Sequence, residues 1–164
     1  MQPPFRIRPA QSQDVPALLR MKRALTELDG AGATLAATED DWRRDGFGAA
    51  PRFQAFIAES AAGAIGMITY SELYLTALAG PVLFVQDLFV DAACRKLGIG
   101  RALLAQLAEV AVQRRIPLIQ LTVLDGNPAR KFYQRLGFQH LRECHTYAMA
   151  GQSMLDLALA AAGQ

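Results

Sequence analysis

The chain has 164 residues, of which 52% are hydrophobic and 20% are charged, and its formal net charge is +2 at pH 7. This length suits one domain over residues 1–164 with a substantial core, and the composition excludes a disordered chain. The two cysteines have neither metal-ligand nor disulfide-framework spacing, the N-terminus lacks a signal pattern, and no apolar run reaches the roughly 18 residues of a membrane span. We therefore expect a cytoplasmic protein with no metal and no membrane partner.

The first half of the chain is predicted to alternate short strands with two helices. Apolar residues at helical spacing give the first helix one buried face, formed by Val15, Leu18, Leu19, Leu25 and Leu28. A threonine cap followed by acids starts the second helix, and a Ser-Ala-Ala-Gly turn joins two strands as a hairpin. The predicted elements are a strand at 5–8, helices at 14–30 and 38–48, and strands at 52–59 and 64–74.

The second half is predicted to begin with a strand–helix–strand unit. A further helix, two closing strands and a last apolar helix follow it. The predicted elements are strands at 82–90 and 116–124 around a helix ending at 115, a helix at 128–135, strands at 138–141 and 144–149, and a helix at 153–162. Strands with helices between them predict a mixed α/β or α+β domain.

A glycine-containing basic turn lies between the strand at 82–90 and the next helix. Such a turn exposes the first backbone N–H groups of the helix, which attract anions together with the helix dipole. Gly98 and Gly100 would let a phosphate approach the backbone, and Arg95, Lys96 and Arg101 would add positive charge. Neither a P-loop nor a full dinucleotide-binding fingerprint is present, and glycine turns before helices also occur without any ligand.

The order R-x-x-G-x-G in this turn resembles the pyrophosphate motif R/Q-x-x-G-x-G/A of the GNAT family of N-acetyltransferases. The resemblance implies acetyl-coenzyme A as the acyl donor. It also implies a mixed, mostly antiparallel sheet of about six to seven strands, flanked by helices and splayed beside the central strand. The backbone of that strand, locally bulged, would meet the donor at Leu88, Phe89 and Val90. The turn residues assigned to the donor are Arg95, Lys96, Leu97, Gly98, Ile99, Gly100 and Arg101.

A second stretch, from Asn127 to Phe138, resembles the family helix N-x-x-A-x-x-F-Y-x-x-x-G-F. One residue is missing between the asparagine and the alanine, so either Asn127 or Gly126 fills the asparagine place. The resemblance implies that Tyr133 protonates the leaving thiolate, although a Phe-Tyr pair at helical spacing more often belongs to a core. Arg130 and Lys131 are assigned to the donor with Asn127.

Charge is unevenly distributed along the chain. Six acids lie between Glu27 and Asp45, and eight bases lie between Arg95 and Arg135. A polyanionic donor on the basic side and a cationic substrate on the acidic side would explain both clusters, and solvated helix faces are the simpler alternative. The bases do not form the broad surface with stacking aromatics that is typical of nucleic-acid binding, so no nucleic-acid partner is expected.

Three stretches, FRIRPAQSQD, TEDDWRRDGFG and QDLFVDAACRKLGIG, are similar to the spermidine/spermine and thialysine N-acetyltransferase branch. That branch acetylates primary amines of small cationic molecules, commonly as a homodimer. Its Glu-Asp pair on the central strand is Gln86-Asp87 in this chain, which leaves Asp87 as the candidate base or amine anchor. Asp29 is the candidate acid from the first helix. The alternatives are a solvated strand-end residue for Asp87 and an ordinary helix-terminal acid for Asp29.

The sequence thus predicts direct acetyl transfer to a diamine, polyamine or lysine analogue. Asp87, acting through water, would take the amine proton, and Tyr133 would act as the acid. Two other hypotheses remain open: acetylation of amino acids or peptide N-termini, and a regulatory module that binds coenzyme A without turnover.

Overall fold

The structure, a computed structural model, describes residues 4–30 and 35–162. The chain forms two compact units, Met1–Asn127 and Pro128–Gln164. The elements of the first unit are β1 (Phe5–Pro9), α1 (Val15–Asp29), α2 (Glu39–Phe47), β2 (Gln54–Ser60), β3 (Gly63–Leu75), β4 (Gly80–Val90), α3 (Ile99–Gln113) and β5 (Ile119–Leu121). Those of the second are α4 (Ala129–Arg135) and α5 (Gln152–Ala162). Across the described residues, no helix has the length and apolar character that crossing a membrane requires.

The strands form one sheet in the order β1-β2-β3-β4-β5. The first three pairings are antiparallel and the last is parallel, which confirms the mixed, mostly antiparallel sheet. The parallel pairing joins only Leu83–Val85 to Ile119–Leu121, whereas β4 continues to Val90. Beyond Val85 the described sheet therefore opens between β4 and β5, as the predicted splay requires.

A β-bulge interrupts β4 where this opening begins. Thr69 lies opposite Asp87 and Tyr70 lies opposite Val85, so Gln86 is an extra residue without a partner position on β3. A bulge bends the strand locally and changes the direction of the neighbouring side chains. The central strand is therefore bulged, but at Gln86, immediately before Asp87, and not at the predicted Leu88–Val90, which pair with β3 in regular register.

The sheet has five strands in the described structure rather than the predicted six to seven. The segments at 138–141 and 144–149 are not strands, and residues 139–149 are all exposed. A strand is stabilised by burying at least one face against a neighbour, and this segment buries none. The two closing strands predicted at 138–141 and 144–149 are therefore wrong.

The strand predicted at 116–124 is also shorter, because its first residues close the preceding helix. Arg115 has a left-handed backbone (φ 57°), and its N–H donates to Val112 O at 3.1 Å. The next N–H, of Ile116, donates to Ala111 O at 2.8 Å. This pair of bonds is the Schellman arrangement that ends many helices, so Ile116 is a cap residue of α3 and is not part of β5.

The core lies on both faces of the sheet. On one face, α1 and α2 pack a cluster that includes Val15, Leu18, Leu19, Met21, Trp42, Ile57, Met67 and Phe89. Leu28, predicted to be buried, is 60% exposed and does not belong to it. On the other face α3 approaches β3 at Gly66, where an added Cβ would lie 3.2 Å from Ile99 Cγ2 and 3.0 Å from Phe89 O. Gly66 therefore permits this close contact between α3 and the sheet.

An ion-pair network fixes β1 to β2. Arg8 donates to both carboxylate oxygens of Asp14, at 2.8 and 2.9 Å, and to Glu59 Oε1 at 2.9 Å. Arg6 adds a 2.6 Å bond to Glu59 Oε2. The hydrogen bonds from Arg8 and then Arg6 lower the pKa of Glu59 from 4.5 to about 2, and the hydrogen bond from Arg8 lowers the pKa of Asp14.

Glu59→Gln is expected to flatten the loss of stability in acid. The unfolded chain protonates Glu59 near pH 4.5, whereas the folded carboxylate stays ionised to about pH 2. Its stabilising contribution is thus complete above pH 4.5 and is lost as the pH falls towards 2. Urea unfolding between pH 7 and 3 measures this, with Glu109→Gln as an exposed control whose partners are glutamines. Equal pH slopes for wild type and Glu59→Gln would contradict the prediction.

Candidate active site

The basic turn ends in an open helix N-terminus. Lys96 (φ 64°) and Gly98 (φ 82°) both have left-handed backbones, and Gly98 is the N-cap of α3. No side chain caps this end, and the first backbone bond within the helix runs from Ala102 N–H to Gly98 O at 3.0 Å. The N–H groups before Ala102 thus have no acceptor within the helix. They form the donor set that an oxyanion needs.

The positive charges of the turn are available to a ligand. Arg95, Lys96 and Arg101 are exposed, and none of the ion pairs among residues 4–30 and 35–162 involves them. Arg95 Nε donates to Val90 O at 3.1 Å, which ties the turn to the end of β4. Leu97 is half-buried and Ile99 is buried, so these two apolar residues anchor the turn. The arrangement suits a pyrophosphate.

The splayed part of β4 leads directly into this turn. Residues 86–90 lie beyond the described pairing with β5, so one edge of their backbone faces the opening. Phe89 is buried in the core beneath α1, while Leu88 and Val90 are half-buried. Gln86 is exposed and its Nε2 donates to Ser71 Oγ at 3.1 Å. The structure therefore brings the predicted β4 residues and the predicted turn residues together in the first unit.

Asp87 is buried, and both of its carboxylate oxygens accept hydrogen bonds. It is 5% exposed; its Oδ2 accepts from Thr69 Oγ1 at 2.7 Å and its Oδ1 accepts from Lys22 Nζ at 2.5 Å. A carboxylate removed from water needs such partners, because an unpaired buried charge is costly. The alternative of a solvated strand-end residue is wrong for Asp87, since the bulge at Gln86 and the packing of α1 enclose its side chain.

A small pocket of about 90 Å³ opens onto Asp87. Trp42, Phe53, Thr69, Gln86 and Asp87 line it. The Trp42 and Phe53 rings meet edge to face with centroids 5.0 Å apart. An aromatic wall beside a carboxylate is a chemical environment that accepts an aliphatic amine. A larger cavity of about 260 Å³ lies elsewhere, and none of the predicted site residues is among the described residues that line it.

Gly46 makes room for one wall of that pocket. A Cβ at Gly46 would lie 2.6 Å from Phe53 Cζ, which is closer than real contacts allow. The glycine of the DGFG stretch therefore sets where the Phe53 ring lies. In this way α2, which carries no predicted site residue, shapes the space beside Asp87.

Sequence reasoning missed the two partners of Asp87. Lys22 lies between Leu18 and Leu25 on the apolar face of α1. A cation is unusual on a helix face that packs against the core. Thr69 is 1% exposed within an otherwise apolar stretch of β3. A polar residue at a core position is the pattern that could have indicated both. Trp42 was predicted to pack in the core, and it does, while also lining the pocket.

The acids of α2 form ion pairs with the two arginines of the same helix. Glu39 pairs with Arg43 at 2.6 Å, and Asp45 pairs with Arg44 at 2.6 Å. Asp40 and Asp41 pair with the same two arginines, at 3.6 and 3.1 Å respectively. Each carboxylate of α2 thus has an arginine neighbour, but four acids against two arginines leave the helix with a net negative charge. Asp29 is the last residue of α1, and its side chain lies outside what the structure describes.

The remaining predicted residues follow β5. Asn127 closes a turn in which its N–H donates to Leu124 O at 3.1 Å, with Gly126 left-handed at φ 80°. Arg130 and Lys131 lie on α4 of the second unit together with Tyr133. Which of Asn127 and Gly126 fills the motif place therefore stays open, and the donor contacts of Arg130 and Lys131 stay predictions.

A helix cap explains the spacing of Tyr133 to Phe138. Gly137 (φ 95°) donates its N–H to Gln134 O, and Phe138 N–H donates to Tyr133 O, both at 3.1 Å. The two rings meet edge to face with centroids 5.6 Å apart, as the apolar contact of a Schellman cap does. The motif spacing thus has a structural cause that is independent of any role for the Tyr133 hydroxyl.

No catalytic role is assigned to either cysteine. Cys94 is half-buried and Cys144 is exposed, and both are free thiols. In the described part of the chain no three His, Cys, Asp or Glu side chains come together in a way that could hold a metal ion.

Comparison with known proteins gives a family and two relatives that are acetyltransferases by name, together with a solved structure of similar fold. A model of the acetyltransferase (GNAT) family matches residues 21–138. Thialysine N-epsilon-acetyltransferase of Bos taurus is 32% identical, over 93% of this chain and 96% of that protein. Spermidine/spermine N(1)-acetyltransferase-like protein 1 of Homo sapiens is 29% identical, over 94% of this chain and 24% of that protein. The solved structure of AAC(6')-Iy with a bisubstrate analog is 20% identical with a TM-score of 0.73, covering 90% and 99% of the two chains, which is a likeness of fold.

Proposed function

Because this chain belongs to the acetyltransferase (GNAT) family and is an N-acetyltransferase, we propose that it transfers acetyl from acetyl-coenzyme A to the primary amine of a small molecule. The acceptor class is a diamine, polyamine or lysine analogue. One observation carries this proposal: a buried, hydrogen-bonded carboxylate, Asp87, lies at the bulge of the splayed strand. A cationic turn that suits a pyrophosphate begins a few residues further along the same chain segment.

The donor would be held by the turn and by the open edge of β4. The free N–H groups at the start of α3 would bind the pyrophosphate, and Arg95, Lys96 and Arg101 would neutralise it. Main-chain groups of Leu88–Val90 would bond the carbonyls of the donor. Asn127, Arg130 and Lys131 are proposed as further contacts, supported by the resemblance alone.

The reaction requires a proton to leave the amine and another to reach the thiolate. A free alkyl amine has a pKa of about 10, so at neutral pH it must lose a proton before it can attack the thioester carbonyl. Asp87 is proposed to receive that proton through water, while Thr69 and Lys22 hold its carboxylate in place. The new C–N bond replaces the C–S bond, and Tyr133 is proposed to protonate the departing sulfur.

The test is thiol release from acetyl-coenzyme A with a panel of amines. The panel contains spermidine, diaminobutyrate, lysine, thialysine and a short peptide, and coenzyme A binding is measured alongside by calorimetry. We expect turnover with at least one small amine and little with the peptide. Turnover with the peptide alone would favour N-terminal acetylation. Tight coenzyme A binding with no turnover on any amine would overturn the proposal in favour of a regulatory module.

Gly98→Asp is expected to weaken coenzyme A binding about tenfold or more, because a carboxylate would face the pyrophosphate at the helix N-terminus. Gly63→Asp is the matched control. Both glycines have positive φ (82° and 100°), and a Cβ at either would meet nothing within 4 Å, so the backbone strain is similar. Calorimetric Kd values for coenzyme A check the prediction. An equal rise in Kd for both variants would contradict a site at this turn.

The homodimer and the cytoplasmic location stay predictions. Exposed apolar side chains on α5 (Met154, Leu155, Leu157 and Leu159) favour a partner surface. Light scattering would test the dimer, since a mass near that of one 17.8 kDa chain would exclude it.

A further inference from the structure

We infer that Lys22 is a specificity-determining residue, which favours amine acceptors that also carry a carboxylate over diamines and polyamines. This inference rests on the proposed function, because it concerns the acceptor of the same site. It gives a role to a residue that neither motif contains.

Lys22 occupies a position beside the Asp87 carboxylate. Its ammonium lies at Asp87 Oδ1, 2.5 Å away, where the ammonium of a cationic acceptor would otherwise pair. The Lys22 side chain is 29% exposed, whereas that of Asp87 is 5% exposed. The cation is therefore the more accessible member of the pair. Lys22 is not among the described residues that line the pocket, but an acceptor amine that pairs with Asp87 would share the carboxylate with the Lys22 ammonium.

The pocket beside Asp87 has a balanced charge. Asp87 is the only charged residue among the described residues that line it, and Lys22 neutralises that charge. Gln86 adds no charge, and the α2 acids are paired with Arg43, Arg44 and, at 3.9 Å, Arg52. The α2 acids are not among the described residues that line the pocket, so the lining taken together with Lys22 has no net negative charge that would bind a second ammonium group.

Lys22 also has hydrogen-bond donors available for an acceptor. An ammonium has three N–H donors, and within the described residues Lys22 Nζ bonds only Asp87. The remaining donors can bond a carboxylate, while a second ammonium on the acceptor is repelled by a like charge in a partly desolvated site. Both effects favour an acceptor that carries a carboxylate over one that carries a second ammonium.

Three acceptors of matched chain length isolate this charge. Cadaverine, lysine and 6-aminohexanoate each present a primary amine on a five-carbon chain, and the remainder of the molecule carries a charge of +1, 0 and −1 respectively. Lys22→Gln removes the charge of residue 22 but keeps a donor for Asp87. Lys22→Arg keeps the charge, and Arg23→Gln removes the same charge from the neighbouring, exposed position of α1.

We expect wild type to use lysine and 6-aminohexanoate at least tenfold better than cadaverine, judged by kcat/KM. Lys22→Gln should reduce that preference about tenfold, whereas Lys22→Arg and Arg23→Gln should keep it. A preference in Lys22→Gln within twofold of wild type would overturn the inference while leaving the proposed function standing. If no amine is turned over, the proposed function fails, and calorimetric binding of the three amines in the presence of coenzyme A still decides the inference by the same ratios.

Discussion

Asp87→Asn is expected to lower kcat/KM roughly 100- to 10,000-fold, the range that a positioned proton acceptor contributes to catalysis. An amide cannot accept the amine proton, although it keeps the size of the carboxylate and still accepts a hydrogen bond from Thr69 Oγ1. Coenzyme A affinity should change little, because the turn that is proposed to bind it is unaltered. Thiol release with the best amine of the panel, measured across pH, provides the test.

The control for Asp87→Asn is Asp91→Asn, the same chemical change four residues further along. Asp91 pairs with Arg20 at 3.1 Å on the surface, and its side chain is 29% exposed. Asp87→Asn also leaves Lys22 without its ion pair, so the variant could lose stability as well as rate. Thermal unfolding of both variants distinguishes a loss of folding from a loss of catalytic rate. A folded Asp87→Asn protein with at least a third of the wild-type rate would reduce Asp87 to a structural residue.

Tyr133→Phe is expected to lower kcat about 100-fold, because the departing thiolate would lose its proton donor. The substitution removes only the hydroxyl. Phenylalanine keeps the ring contacts with Phe132 and Phe138, at centroid distances of 5.2 and 5.6 Å, so the cap of α4 stays intact. The measurement is kcat for thiol release, together with coenzyme A affinity, which should stay within about twofold.

Tyr147→Phe is the matched control, since Tyr147 is 90% exposed. Replacing Tyr133 by leucine would separate the two roles further, because that change also removes the edge-to-face contact with Phe138. If Tyr133→Phe keeps the full rate and Tyr133→Leu only loses stability, then the tyrosine serves the helix cap and the acid must be sought elsewhere.

Local sequence predicted the parts of the site that local geometry determines. The start of α3 depends on neighbouring residues alone, so the sequence correctly placed a helix N-terminus at Gly98 with basic residues around it, while anion binding there stays a prediction. The helix cap at Gly137 is encoded within a few residues in the same way. Spacing in the sequence and hydrogen bonding in the structure agree at both places.

Ion pairs between residues far apart in the sequence could not be predicted from local patterns. Lys22 and Asp87 are 65 residues apart, so no local spacing encodes their ion pair. The acids of α2 looked available to a substrate because side-chain pairing with Arg43 and Arg44 depends on rotamers that composition does not specify. The strands predicted at 138–141 and 144–149 are wrong for a related reason, because a strand needs a neighbour to cover one of its faces, and residues 139–149 are all exposed.

The absent side chain at Gly66 has a consequence for how acetyl-donor affinity could change over evolution. A Cβ at this position would meet both Phe89 O, at 3.0 Å, and the side chain of Ile99, the first residue of α3, at 3.2 Å. A methyl group there would separate the helix from the sheet and would shift the first amides of α3 relative to the open edge of β4. Since both are proposed to bind the donor, a substitution at this buried position would change donor affinity, and a search for affinity variants confined to exposed residues would overlook it.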